Sequence, residues 1–550
     1  MSETPPDAPG PDDSAADRSD PTTDGEDVPL WTRLARNPRP AAAWGAVLAL
    51  LLALQAGALL EFVAVTTESV LGAVVRGLLG TVGGGVPANA TANATNATAN
   101  ATNATAGSGG VVGRLAAETL FDPLIEFTRS IPRLLSRETV PNQGWQVSED
   151  GPWKGTFPTN VGAEYGLSPA LAWGLRLALV YAYVFALLAW LWRGYDVFVE
   201  HYRYADWTPR DDVIRRLRGH RWGQFGMVIV VLFLTLAAFA PAVSPTTYDQ
   251  NVLNPYQHEL RYFDGESGEV AVIAVGQANL DTASRGNADN NVGPLSYDRY
   301  GRFHPFGTMN NPGADLFTFM AFGARVSLFV GLLAIGISSF LATLFGLLTA
   351  YYKGLVDLSV VVVSDSIQTI PAILLLILLS VVFADHWLSS IYDGGFLIAS
   401  ILGVVYFPGL WRAVRGPAFQ VAEQEWVDAA RSYGQRSTQT MRKHMLPYIL
   451  GYLLIYGSLT IGGVIITTSA LSFLGIGINP PTPEWGRAVD QGRNYVTTAS
   501  WHIAFIPGVM IVLVVTAFNA MGDGIRDAID PQSDTGEGAA TEAAAAGGGG

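Results

Sequence analysis

The sequence predicts an all-α integral membrane protein, and three observations carry that reading. Only 15% of the 550 residues are charged while 49% are apolar, against about 25% charged in a soluble globular chain. The mean hydropathy is +0.27. Eight stretches, near 41–60, 170–193, 223–243, 323–350, 358–384, 396–412, 448–471 and 501–521, are apolar over about the 20 residues that a helix needs to cross a bilayer.

Taken in order, residues 1–40 form an acidic tail expected to be disordered. The first 29 hold nine acids and one arginine among Pro, Ser and Thr, too little apolar surface to offset the entropy of ordering. The first span, AAAWGAVLALLLALQAGALL, carries no charge, follows a polar Pro-rich segment and precedes no A-x-A site, so it reads as an anchor rather than a leader. A long insert, 61–169, separates it from the second span. Val70, Leu71, Val74, Val75, Leu78 and Leu79 repeat there at helical spacing. Further on, Asn89, Asn93, Asn96, Asn100 and Asn103 each begin an N-x-T sequon, making them candidates for N-glycosylation if the insert faces outward. Residues 41–193 therefore form a two-span extension, 194–222 a linker, 223–531 a six-span core, and 532–550 an Ala/Gly/Glu tail without the means to fold.

Arginines orient the spans. Arg33, Arg36 and Arg39 precede the first span; linker 194–222 holds six arginines; loop 413–447 holds Arg415, Arg431, Arg436, Arg442 and Lys443. The opposite loop 385–395 holds no Lys or Arg, and 472–500 only Arg487 and Arg493. With eight spans the rich loops share one side with both termini. That side is expected to be the cytoplasm, and the chain a multi-pass protein of the plasma membrane.

The composition also excludes chemistry. There is no cysteine, hence no disulfide, thiolate metal site or cysteine nucleophile. The seven histidines are scattered, with no metal-ligand spacing. Acids outnumber basic residues 47 to 33, and only Lys154, Lys353 and Lys443 are lysine. That balance argues against nucleic-acid binding. It is like that of proteins from molar salt, where screening offsets self-repulsion. None of the lysines ends a G-x-x-x-x-G-K-[ST] loop, and no G-x-S-x-G or H-E-x-x-H motif occurs. The chain is thus expected to be no enzyme and to hold no cofactor or metal of its own. Asp357 and Asp365, eight residues apart at the start of the fifth span, lie within roughly 80° of each other on a helix. They read as polarity near the cytoplasmic end facing a partner subunit rather than as a proton relay, since no further acids continue through the membrane.

The most informative segment is EWVDAARSYGQRSTQTMRKHMLP, 425–447. Glu425–Tyr433 is a short helix-compatible run in which the small Ala429 and Ala430 allow close approach of another surface. Gly434 suits a C′ position, and Pro447 the first turn of the next span. This segment resembles the cytoplasmic loop of ABC-importer permeases, E-A-A-x3-G-x9-I-x-L-P. Asp428, Ala429, Ala430, Gly434, Leu446 and Pro447 match with every spacing kept; Asp428 stands for Glu and His444 for Ile. A basic RH-x-LP is common in the dipeptide/oligopeptide branch. HPFGT (304–308), GARVSL (323–328), AYYKGLVD (350–357), LSFLGIGINPPTPEWGRAV (471–489) and AFNAMGDGIRDAIDP (517–531) resemble that branch in the expected order, whereas MNNPGADLF replaces its usual D-x-x-G-R-D.

The resemblance covers about 222–531. The first 193 residues have no counterpart in the ordinary six-span member. It implies a permease whose 425–447 finger (Glu425, Asp428, Ala429, Ala430, Gly434, His444, Leu446, Pro447) docks on an ATPase. It further implies a second homologous permease, two ABC ATPase subunits that bind ATP and Mg, and an extracellular solute-binding protein. The expected cargo is di- or oligopeptides, with nickel or another small solute as the alternative. An ion-coupled secondary carrier would need midplane acids and inverted repeats, and neither is seen.

Overall fold

The computed structural model describes residues 29–57, 60, 135, 144–149, 151–156, 166–203, 207–283, 291–310 and 313–529. The five sequon asparagines, the apolar stripe at 70–79 and the tail at 532–550 lie outside them. Among the described residues, six helices are long and apolar enough to cross a membrane, and a bent pair makes a seventh. The contacts divide the chain into two units, 1–52 with 185–211, and 53–184 with 212–550. The division does not follow the expected boundary at 193 but cuts through the second span of the extension.

The first unit contains α1 (Leu30–Arg36), α2 (Pro38–Leu54) and the latter half of α3 (Pro169–His201). The tail expected to be disordered to residue 40 is therefore helical from Leu30. Here Tyr202, just past the end of α3, holds the turn between α1 and α2. Tyr202 Oη donates to Asn37 O at 2.6 Å and accepts from Ala41 N, while Arg33 donates to Tyr202 O at 2.9 Å. Trp44 and Trp190 donate their indole N–H groups to each other's backbone carbonyls at 3.0 and 3.1 Å. At 17 residues, α2 is shorter than the spanning helices.

The second unit begins with the pair β1 (Trp145–Gln146) and β2 (Trp153–Lys154), then the first half of α3. After α4 (Pro209–Gly219) comes α5 (Arg221–Ala238), the first core span. A helix end leaves four carbonyls without intrahelical partners, and the end of α5 is capped by side chains from two neighbours. Arg325 donates to Ala237 O and Ala238 O at 2.7 and 3.0 Å. Past the helix, Trp173 of α3 donates to Val243 O and the fully buried Arg176 to Ser244 O, at 2.8 and 2.7 Å. Trp173 also packs edge-on against Phe317. The extension helix is thus built into the core.

The stretch 244–315 folds into the hairpin β3 (Glu259–Asp264) and β4 (Glu269–Ala274), helix α6 (Val275–Asp281) and the pair β5 (Ser296–Tyr297) and β6 (Phe303–His304). It ends at Asp315, whose Oδ2 caps α7 (Leu316–Tyr352) by accepting from Thr318 N at 2.7 Å, as N-cap aspartates do. Asn251 clamps the Asp315 backbone from both sides, donating to its carbonyl and accepting from its N–H.

The span expected at 358–384 is not one rod. It is α8 (Gly354–Thr369) followed by α9 (Ala372–Val382), bent by 90°. Pro371 is the cause: it lacks an N–H, and its ring forces Ile370 to extended backbone (φ −82°, ψ 130°). The next long helix, α10 (Gly395–Ala422), runs ten residues past the expected end at 412. A short α11 (Glu425–Ser432) leads to α12 (Leu446–Phe473), then α13 (Trp485–Gly492) and α14 (His502–Ile529). Helix α13 is seated among the spans by the PEWG residues. Glu484 caps it and accepts from Ser469 Oγ at 3.1 Å, and the buried Trp485 donates to Met320 O at 2.8 Å. A Cβ on Gly486 would lie 1.9 Å from Ser469 O, so only glycine allows this approach.

Between α5 and α7 lies a buried charge network. His304 faces Asp315 Oδ1 at 2.9 Å through Nδ1 and Asp298 Oδ2 at 3.4 Å through Nε2. Arg302 Nε donates to Asp298 Oδ2 at 2.7 Å. Burial disfavours the charged imidazole, but the hydrogen bonds from Asp298 and Asp315 outweigh it and raise the His304 pKa. Burial likewise opposes ionisation of Asp298, yet Arg302 and His304 hold its carboxyl well below the usual range. Glu259 and Arg261, on β3, are the other charges lining the adjoining cavity. Because the folded pKa of His304 is raised, its contribution is complete below the unfolded value near about 6.5 and is lost as pH rises through the folded value. The thermal midpoint of the wild-type chain should therefore exceed that of His304→Gln most near about pH 6, with the gap closing toward about pH 9. Midpoints measured at both pH values check this, and a gap independent of pH would refute it.

Candidate coupling site

The segment 425–447 forms a finger at the end of the second unit opposite the 244–315 hairpins. Helix α11 is amphipathic over two turns. Val427 is fully buried, in a cluster with Trp411, Met441, Met445 and Ile449. Glu425, Trp426, Asp428, Ala429 and Tyr433 are exposed and Ala430 is half-buried. Arg431 lies 4.3 Å from the centre of the Tyr351 ring, tying α11 to the last turn of α7. Trp426 stacks on Tyr448 of α12 at 5.9 Å. One apolar anchor and two aromatic contacts thus fix a helix whose remaining face is open.

The finger turns at Gly434, with φ +76°. Gln435 N donates to Ala430 O at 3.1 Å and Gly434 N to Arg431 O at 2.9 Å. This pair of bonds is a Schellman motif, with Tyr433 as C-cap and Gly434 as C′. Pro447 is the second residue of α12, in the first turn of that span. Helical turns already begin at Ser437, and a π turn over Met441–Met445, closed by Leu446 N donating to Met441 O, leads into α12. His444 lies within that turn, half-buried like Leu446, while Pro447 is exposed. The structure therefore gathers Glu425, Asp428 and Ala429 on one open face, with Gly434 at the tip and His444, Leu446 and Pro447 on the returning helix.

Asp357 and Asp365 find their partners within the chain. Arg415 Nε donates to Asp357 Oδ1 at 2.8 Å, and Arg412 pairs with Asp365 and with Gln368. The two pairs form a ladder joining α8 to α10. Sequence reasoning missed it because Arg415 was placed in the loop 413–447. The i, i+3 spacing of Arg412 and Arg415 is the signal that puts both on one helix face.

A model of binding-protein-dependent transport system inner membrane components matches residues 342–534, which include the whole finger. A second, of the N-terminal TM domain of oligopeptide transport permease C, matches 208–260. A putative peptide transport system permease protein of Brucella suis biovar 1 is 39% identical over 229 residues, covering 42% of this chain and 74% of that protein. The chain belongs to the binding-protein-dependent transport permeases. A glutathione transport system permease protein of Shigella dysenteriae serotype 1 is 32% identical over 327 residues, 59% of this permease and 91% of the relative. The dipeptide transport system permease protein of Alkalihalophilus pseudofirmus is 29% identical over 330 residues, 60% and 92% of the two chains. The family places this permease in the plasma membrane as a multi-pass subunit of ABC importers, distinct from the ATPase. Residues before 208 lie outside both matched ranges.

The Gly434 turn gives a test of the finger. No atom lies within 4 Å of a Cβ built there, so a substitution meets only torsional strain. A β-branched residue at this φ costs about 1–3 kcal/mol, relieved by re-aiming α11. Gly434→Val should reach the membrane at near-normal abundance but retain little ATPase on co-purification. Gly434→Asn, which tolerates the left-handed region, should be milder. Equal behaviour of the two variants would rule out strain at the turn as the cause.

Proposed function

We propose that this permease imports di- or oligopeptides, with small peptides such as glutathione within its range. ATP would be hydrolysed by two partner ABC ATPases holding ATP and Mg, and cargo delivered by an external solute-binding protein to a pair made with a second, homologous permease. The observation that carries the reading is the finger: a rigid helix with an open, acidic and small-residue face, anchored by Val427 and turned by Gly434 onto α12. Movement of an ATPase against that face would pass directly into α7, through Arg431 and Tyr351, and into α12, rocking the spans between inward-open and outward-open states. Glu425, Asp428, Ala429, Ala430, Gly434, His444, Leu446 and Pro447 are its coupling residues. The relatives' names support the peptide cargo.

The same reading sets the topology: eight spans, both termini and 413–447 in the cytoplasm, and the insert 61–169 with its five sequons outside. Residues 41–193 would be a two-span addition to the six-span core at 223–531. The chain lacks cysteine, so single-cysteine variants are unambiguous. In intact cells a membrane-impermeant thiol reagent should label Ala97→Cys and spare Arg436→Cys; the reverse would overturn the orientation.

Coupling is tested by hydrolysis. The purified chain alone should hydrolyse no ATP, and activity should require the ATPases and rise with loaded binding protein. Asp428 is largely exposed, 3.6 Å from Arg431. Reversing one rim charge typically changes affinity by about 1 kcal/mol or more, so Asp428→Lys should lower the stimulated rate about fivefold. Full stimulation in that variant would take Asp428 out of the contact.

A further inference from the structure

A cavity of about 290 Å³ opens between the β3–β4 hairpin, the β1 strand and the start of α7. Its walls include Trp145, Tyr300 and Phe303, and its polar groups include Glu259, Arg261, Arg302 and His304. Most of those polar groups are spoken for. His304 is held by Asp298 and Asp315. Arg261 lies 5.3 Å from the centre of the Trp145 ring. Arg302 donates through Nε to Asp298 and through Nη1 to Asn279 Oδ1 at 2.6 Å. Its second terminal nitrogen, Nη2, is buried and has no partner. A buried guanidinium N–H without an acceptor is costly, and here it belongs to a residue lining a cavity of ligand size.

We infer that this cavity binds a small solute bearing a carboxylate, which accepts from Arg302 Nη2 while Trp145 covers it. The chemistry selects a single-charged acceptor. Asp315 and Glu259 line the same cavity, so a doubly charged phosphate would be repelled, whereas a carboxylate adds one charge beside Arg302. The exposed Glu259 at the mouth leaves room for an ammonium on the same ligand. The volume falls at the small end of ligand pockets and suits an amino acid or dipeptide. Trp145 comes from the extension, outside both ranges matched by the family, so the wall is a feature of this chain. The inference does not depend on what the transporter carries, because it concerns a site between the hairpins and is read by binding alone.

The full-length chain in detergent, titrated calorimetrically with alanyl-alanine and with its C-terminal amide, tests it. The acid should bind and the amide at least about tenfold more weakly, the worth of one charge-assisted hydrogen bond. Arg302→Lys keeps the charge opposite Asp298 but removes the free N–H, and should weaken the acid by a similar factor. Trp145→Ala lies outside the buried network and should weaken both probes by about fivefold or more without lowering the thermal midpoint. If Arg302→Lys fails to fold, Trp145→Ala decides. Equal binding of acid and amide, undiminished binding in Trp145→Ala, or no binding at roughly 10 mM would each overturn the site. None of these outcomes bears on ATPase stimulation, so failure here leaves the importer reading intact.

Discussion

A lipid interior offers no water to backbone groups, so every carbonyl freed by a helix end or break must find a donor inside the protein. Much of this architecture follows from that constraint. Arg325 and, beyond the helix, Trp173 and Arg176 supply donors to four successive carbonyl sites around the end of α5, at Ala237, Ala238, Val243 and Ser244. Trp485, itself fully buried, satisfies its indole N–H on Met320 O inside α7. In the π turn before Pro447, Leu446 N donates to Met441 O. Arginine suits this work because its guanidinium reaches two carbonyls at once and stays charged. The chain's preference for arginine over lysine therefore has a structural use.

The same logic explains why the ends of the second unit behave differently. At the finger end, contacts are few and specific: Val427 in its apolar socket, Arg431 on Tyr351, the Asp357–Arg415 and Asp365–Arg412 pairs. These pairs link the bent α8–α9 element to α10, the helix that leads into the finger. At the other end, hairpins and the network around His304 make a densely bonded cap. The outer face of α11 stays open, whereas the cap is bonded densely within itself around the cavity.

Hydropathy made most spans legible, because a long charge-free run has few alternatives to a membrane helix. Gly434 was legible too, since the spacing from Ala430 left a C′ position that glycine fills without strain. What was hidden depended on tertiary pairing. Nothing local distinguishes Pro371, which breaks its span, from Pro408 and Pro417, which lie inside α10. The partner of Arg176, Ser244 O, lies 68 positions away in the sequence. The π turn over Met441–Met445 was hidden as well, because such a turn leaves no mark in composition.

Helix α7 deserves a mechanical description. Its 37 unbroken residues span about 55 Å, nearly twice the hydrocarbon thickness of about 30 Å. One tip carries Asp315, on the wall of the cavity; the other carries Tyr351, beneath Arg431 of the finger. Pivoted at its middle, such a rod would act as a lever. A tilt of roughly 5° about that point swings each tip by about 2 Å, in opposite directions, given the 1.5 Å rise per residue. That is enough to break or make a hydrogen bond, so any tilt of this rod would be felt at the cavity and at the finger together.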